Sequence, residues 1–283
     1  MNLSNKNNII EKSFKLKEIS GSNERKILKF IIQHAEIMPG QFFMLNFNGC
    51  QKPFSVYSYK KTDLSTGEVS FMIENRGSCS NKMLDACPGD YFGLTGPLGC
   101  GFNLNSYSRF LLLGGGIGVA PVLFAAEYLS YNSINSSGIT VIIGENTAPK
   151  IIYKDAIDKL HAGGRTSCSL YTVDGSCGSK GFPTDNLQKI LSDKSFDTVL
   201  ICGPEKMITA CLKYTDTLIK DKDIQICMER YMKCGLGLCG SCVIDNIGLR
   251  VCAEGPVFNY NLLRNSKEFG FYKRDSSGTK INV

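Results

Sequence analysis

Residues 109–121 read Arg109-Phe-Leu-Leu-Leu-Gly-Gly-Gly-Ile-Gly-Val-Ala-Pro121, and the character of the chain changes there. The apolar run Arg109–Leu113 predicts a short strand. Gly114, Gly115, Gly116 and Gly118 predict a tight turn, and the residues after them a helix running to roughly Tyr128. Phe110 to Ala126 carries no charge, a run about as long as the shortest membrane-spanning helices. Four glycines and Pro121 within it would break a lone helix in lipid, so it reads as a buried βα unit and no membrane association is expected. N–H groups at such a turn, with the helix dipole behind them, favour a pyrophosphate. The Rossmann G-x-G-x-x-G is not matched, because Val119 stands where the third glycine would be. A tight βα turn with no ligand would look similar.

Downstream, strand and helix alternate. Strands are expected at Ile139–Ile143, Cys168–Val173 and Thr198–Cys202, with helices around Tyr153–Leu160, Asp185–Leu191 and Glu205 to about Ile219. That pattern predicts a parallel sheet covered on both faces. Cys202-Gly203-Pro204 also ends a strand and opens a helix, so both loops should gather at the C-terminal edge of one sheet, where such folds bind ligands. Cys202 would then lie beside a reacting nicotinamide, as the candidate catalytic residue; the plainer alternative is a buried core cysteine. Glu145, just after the second strand, stands where a basic residue would favour a 2′-phosphate, so an acidic one leans toward NADH. Upstream, the runs Ile27–Ile32, Gln41–Phe47, Pro53–Tyr59 and Val69–Ile73 are short and rich in β-branched and aromatic residues. Pro39-Gly40, Asn48-Gly49, Pro88-Gly89-Asp90 and Gly96-Pro97 punctuate them, as in a small antiparallel barrel.

The 283 residues suffice for two domains and a small appendage. Hydrophobic content of 43% with 20% charged residues argues against wholesale disorder. The net charge of +6 is spread out, with no basic block interleaved with aromatics, so nucleic acid is not an expected partner. Thirteen cysteines would suggest disulfides in a secreted protein. The stretch Met1 to Gly21 lacks the apolar core of a signal peptide, so the expectation is a reduced, cytoplasmic setting.

Four of those cysteines are concentrated. Cys234, Cys239 and Cys242 have the spacing C-x4-C-x2-C, and Cys252 follows after nine residues. Four thiolates meet the ligand requirement of a 2Fe–2S cluster, and this is the plant-type ferredoxin spacing with a shorter last interval. Gly235, Gly237 and Gly240 would let a tight loop turn its N–H groups toward sulfur. The competing reading is a four-cysteine zinc site, although such sites more often show two short cysteine pairs.

Two further stretches lie in the barrel. Lys52-Pro53-Phe54-Ser55 precedes a strand, and Met72-Ile73-Glu74 leads through Gly77 to Cys79-Ser80 at the start of an expected helix at Asn81–Ala86. A hydroxyl at Ser55 suits a flavin ring and the Gly77–Ser80 turn suits a pyrophosphate. A surface Lys-Pro turn would look the same. In order along the chain these motifs, then Gly114–Gly118, Cys202-Gly203-Pro204 and the cysteine loop, resemble the ferredoxin–NADP reductase superfamily. Within it they resemble the electron-transfer subunits of NAD-linked (type B) dihydroorotate dehydrogenases, most closely from Glu229–Cys234 through Val251–Phe258.

The resemblance implies an antiparallel FAD-binding barrel (1–105), a parallel-sheet α/β domain for NAD(H) (106–223) and a small 2Fe–2S domain (224–265). Residues 266–283 would be a tail of unassigned role. FAD contacts are implied at Lys52, Pro53, Phe54, Ser55, Met72, Ile73, Glu74, Gly77, Cys79 and Ser80. Nicotinamide-nucleotide contacts are implied at Gly114, Gly115, Gly116, Gly118, Gly203 and Pro204. Lys52 stands where the family commonly has arginine, keeping the charge but losing the planar fork. The implied partner is an FMN-containing dihydroorotate dehydrogenase catalytic subunit, in a heterotetramer of two plus two serving pyrimidine biosynthesis. Diaphorase subunits of a sulfhydrogenase or an anaerobic sulfite reductase share the same motifs. A redox-responsive regulator and a zinc-stabilised interaction module are readings from other classes.

Overall fold

A computed structural model describes residues 9–105, 107–132, 138–218 and 223–283; positions 106 and 219, named as limits above, fall outside that set. Among the described residues six antiparallel strands close a barrel in the order β1-β2-β5-β4-β3-β6. They are β1 (Ile10–Gly21), β2 (Arg25–Gln33), β3 (Phe42–Phe47), β4 (Cys50–Lys61), β5 (Thr66–Glu74) and β6 (Tyr91–Leu98), with the short helix α1 (Ser78–Leu84) between the last two. Alternation explains the barrel: Phe43, Leu45, Phe71, Phe92 and Leu94 point inward and are essentially inaccessible. β1 and β6 are absent from the strands expected above. Over its length β1 buries little besides Ile10 and Leu16, and β6 is interrupted by glycine and proline, so neither carries a strong local signal.

The second unit is a sheet in the order β10-β9-β8-β7-β11-β12-β13, with β10 (Ser179–Lys180) at its edge. Its central strands β7 (Arg109–Gly115), β8 (Gly138–Glu145), β9 (Thr166–Thr172) and β11 (Thr198–Cys202) are parallel, as the alternating pattern requires. The crossovers carry helices α2 (Val119–Asn132), α3 (Lys154–Ala162), α4 (Leu187–Asp193) and α5 (Glu205–Leu218). Because β7 is covered on both faces, it is buried without a break from Phe110 to Gly115. The sheet then runs into residues expected above as the third unit: β12 (Asp223–Cys227) adds a parallel strand, and β13 (Val257–Asn259) returns antiparallel beside it.

The cysteine loop lies between β12 and β13, so the sheet holds both its ends. Helix α6 (Tyr260–Leu263) and a hairpin of β14 (Tyr272–Arg274) and β15 (Lys280–Asn282) complete the chain. The cores are shared between units. Barrel residues Ile27 and Met72 pack with α2 and β7, and barrel residues Phe42, Met44 and Leu98 pack with Cys242 and Cys252. No helix among the described residues is long and apolar enough to cross a membrane.

Candidate redox site

Two loops meet at the C-terminal edge of the sheet. Cys202 pairs with Gly114 on one side and Cys227 on the other. A β-carbon on Gly118 would stand 2.6 Å from both Cα and N of Gly203, and one on Gly203 would stand 3.1 Å from N and O of Gly115. These glycines are therefore required by backbone-to-backbone contact. Gly116 has φ +54°, a conformation that also favours glycine. The arrangement brings Gly114, Gly115, Gly116, Gly118, Gly203 and Pro204 to one edge, as the motifs require. Cys202 is 8% exposed. A hydrogen bond with Cys227, and then burial, push its thiol well above the ordinary range, so it stays neutral. Gly118→Ala would force the two loops apart through backbone that cannot rotate away. Reduction of the protein by NADH should fall by about a hundredfold while flavin content stays constant, which stopped-flow absorbance and a flavin assay would check.

On the barrel side, Lys52, Pro53, Phe54 and Ser55 lie half-buried along β4. Ser55 is half-buried, and its hydroxyl has no hydrogen-bond partner among the described residues, which leaves it available to a ligand. Met72 and Ile73 are packed away in the cores, so only their backbone can serve a ligand. Gly77 has φ +134°. Ser80 Oγ accepts from the Arg76 N–H at 2.8 Å and donates to the Gly77 carbonyl at 3.0 Å, fixing the turn in front of α1. Cys79 is half-buried next to Cys50; burial first, then that thiol, raise it to about 11.

Glu74 is the most constrained of the candidates. Its carboxylate accepts from Arg25 at 3.0 Å, Arg76 at 2.9 Å and Lys150 at 3.2 Å. Burial would raise its pKa, but Arg25 and Arg76 hold it down at about 2. Glu74 thus anchors its strand rather than offering a free carboxylate. Arg25, which is inaccessible to solvent, also pairs with Glu145 and donates to the Lys150 carbonyl at 2.9 Å. This corrects the expectation for Glu145: it is 5% exposed, is neutralised by Arg25 and accepts from the Tyr153 hydroxyl at 3.3 Å, so it is not placed to read a ribose. Arg25 was missed because a single arginine opening a strand carries no local signal of burial.

The cysteine loop turns at Gly235, Gly237 and Gly240, with φ of +71°, +76° and +74°. The N–H of Leu236 points at Cys234 Sγ at 3.4 Å, that of Gly237 at Cys252 Sγ at 3.2 Å, and that of Cys252 at Cys242 Sγ at 3.4 Å. Donors aimed at sulfur suit thiolates that carry charge onto a metal centre. The sulfurs of Cys242 and Cys252 are 3.2 Å apart and buried, while Cys239 is exposed. Among the described residues, no three metal-ligating side chains gather tightly around one point. The number of the four sulfurs, their spacing and the donors around them fit a cluster of two irons.

The loop also touches the barrel. A β-carbon on Gly235 would stand 2.6 Å from Met44 Cγ, and Met44 is the β3 residue paired with Pro53 of the β4 motif. Lys52 Nζ lies 5.2 Å from the ring centre of Tyr231, three residues before Cys234. The Lys52–Ser55 stretch and the cysteine loop are therefore neighbours.

Comparisons with known proteins agree with this geometry. Residues 229–264 match the iron–sulfur cluster binding domain of dihydroorotate dehydrogenase B, and residues 112–213 match the oxidoreductase NAD-binding domain. A Methanocaldococcus jannaschii protein named "Probable dihydroorotate dehydrogenase B (NAD(+)), electron transfer subunit" is 37% identical over 247 residues, covering 87% of this chain and 88% of that one. The chain belongs to the family of dihydroorotate dehydrogenase B electron transfer subunits. A second member, from Methanothermobacter thermautotrophicus, is 36% identical and covers 87% of each chain. The solved structure of an NADH-dependent reduced ferredoxin–NADP oxidoreductase, studied for flavin-based electron bifurcation, superimposes with a TM-score of 0.69 at 25% identity and covers 91% of both chains. Within the family match, the cluster domain ends at residue 264, so the hairpin beyond it lies outside that match.

Proposed function

We propose that this chain carries electrons between NAD(H) and the FMN-containing catalytic subunit of a dihydroorotate dehydrogenase, in pyrimidine biosynthesis in the cytoplasm. The observation that carries the reading is the contact of Gly235 with Met44, across the ladder from Pro53. It sets a four-cysteine loop beside the Lys52–Ser55 stretch of the flavin motif. When bound, FAD supplies hydride exchange with a nicotinamide, and a 2Fe–2S cluster supplies one-electron exchange.

The residues have separable tasks. The contacting glycines at 114–118 and 203 leave room and N–H groups for the nucleotide phosphates. The neutral Cys202 thiol lines the nicotinamide end without competing as a nucleophile. Lys52, Ser55 and the Gly77–Ser80 turn hold the flavin. Cys234, Cys239, Cys242 and Cys252 hold the irons, with Cys239 on the face open to a partner.

The test is reconstitution. The chain alone should reduce an artificial dye with NADH but not oxidise dihydroorotate. Mixed with the catalytic subunit it should elute as a complex of two plus two and form NADH from dihydroorotate and NAD. A colourless chain, or a coloured one that never binds the catalytic subunit, would refute the proposal.

A further inference from the structure

Residues 266–283 lie beyond the family match and make an organised set of contacts with the cysteine segment. Glu268 is 1% exposed. One carboxylate oxygen accepts from Arg230 Nε at 2.6 Å, and the other from the backbone N–H of Asp245 at 2.7 Å. Asp245 sits in the nine-residue connection between Cys242 and Cys252. Its own carboxylate accepts from the Tyr272 hydroxyl at 2.6 Å and from Arg274 at 2.7 Å. Glu268 thus grips the backbone, and the hairpin the side chain, of one residue in the connection.

The other end of the network reaches the nucleotide edge. Arg230, 6% exposed, also donates to both oxygens of Glu205 at 2.7 and 3.1 Å. Glu205 directly follows Cys202-Gly203-Pro204 and in turn accepts from the backbone N–H of Gly270 at 2.6 Å. Phe269 is buried against Tyr260, closing the core between these ion pairs. Every charge here is paired and further hydrogen-bonded, the condition under which buried ion pairs define one geometry.

We infer that the C-terminal segment 266–283, Glu268 together with the hairpin, is a clamp that positions the last two cluster ligands. Through Asp245 it holds the Cys242–Cys252 connection, and through Glu268, Arg230 and Glu205 it ties that connection to the helix opening at the nicotinamide loop. Glu268, Tyr272 and Arg274 are positioning residues: their bonds to the cysteine segment go to Arg230 and Asp245, not to a cysteine. Without them the connection keeps the Val251 N–H to Cys242 carbonyl bond at 3.1 Å, the Arg250 bond to the Gly237 carbonyl at 2.7 Å and the burial of Ile244 and Val251, but loses the ties that fix Asp245 between Cys242 and Cys252. The inference rests on the functional reading above for the identity of the bound group.

Deleting residues 266–283 would remove Phe269 from the core, so point variants are the better test. Tyr272→Phe combined with Arg274→Met, and separately Glu268→Gln, should be compared with the full-length chain. Expected are unchanged FAD content and NADH–dye reduction, but loss of iron to a chelator at least about ten times faster. Backbone amides of 243–251 should exchange with deuterium faster in apo and loaded protein alike. Restoring a cation as Arg274→Lys in place of methionine should recover part of the difference. Equal rates of iron loss and amide exchange in variant and parent would overturn the clamp. Should the parent hold no iron at all, the functional reading fails instead, and exchange in the apo protein still decides whether the hairpin holds the connection.

Discussion

Cys239→Ser is expected to strip the chain of iron and acid-labile sulfide while FAD remains bound. Cys239 is the exposed member of the set. A serine hydroxyl in its place stays protonated at neutral pH and cannot replace a thiolate on iron. Hydrogen bonds from and around Ser241 already draw this thiol down to about 6. The flavin motif on β4 and β5 shares no residue with the loop, so NADH–dye reduction should persist near the parent rate. NADH formation from dihydroorotate in the reconstituted complex should fall to background, because the one-electron route to the partner is gone. Iron analysis, a visible spectrum and the two assays would separate these outcomes. Loss of flavin together with iron would show that the loop supports the barrel as well, and that the two sites are not independent.

The second large effect concerns Arg25. Its guanidinium is inaccessible, pairs with Glu145 from the sheet and Glu74 from the barrel, and leaves only Nε without a partner. Arg25→Met leaves Glu145 buried and uncompensated, at a cost of about 3–5 kcal/mol, or a thermal midpoint lower by about 10 °C. Arg25→Met with Glu145→Met should recover much of this, since Glu74 keeps Arg76 and Lys150 and an apolar pair replaces a buried ionic one. Glu145→Arg sets two guanidinium groups against each other. It should destabilise the protein without moving its preference between NADH and NADPH, as melting curves and the ratio of kcat/KM values would show. A stable Glu145→Arg protein that gains NADPH use would refute the burial argument.

Motifs governed by short-range chemistry were legible in the sequence. The glycine turn at 114, the Cys202-Gly203-Pro204 loop and the cysteine spacing are each demanded by a local condition: close backbone approach, a strand-to-helix turn, ligation by four thiolates. Alternating strands and helices likewise fixed the parallel sheet, because each element declares its buried face by its own periodicity. Less was legible where burial is decided by distant partners. Glu145 reads as an acidic residue after a strand that leans toward NADH, and only Arg25, 120 residues earlier, makes it a core residue. β1 and β6 became strands because their barrel neighbours pair with them, and β12 and β13 joined the sheet although a cysteine loop separates them.

By itself, the amino-acid order determined the chemistry: which residues can ligate iron, which turns can receive phosphate, and which layers must form. Only the tertiary structure decided the adjacency, namely that Gly235 meets Met44 behind Pro53, that Arg25 joins barrel to sheet, and that the C-terminal hairpin holds Asp245. Spacing along the chain carries ligand sets and periodicity, whereas contact between residues a hundred or more positions apart depends on how whole layers pack, and no local pattern encodes that.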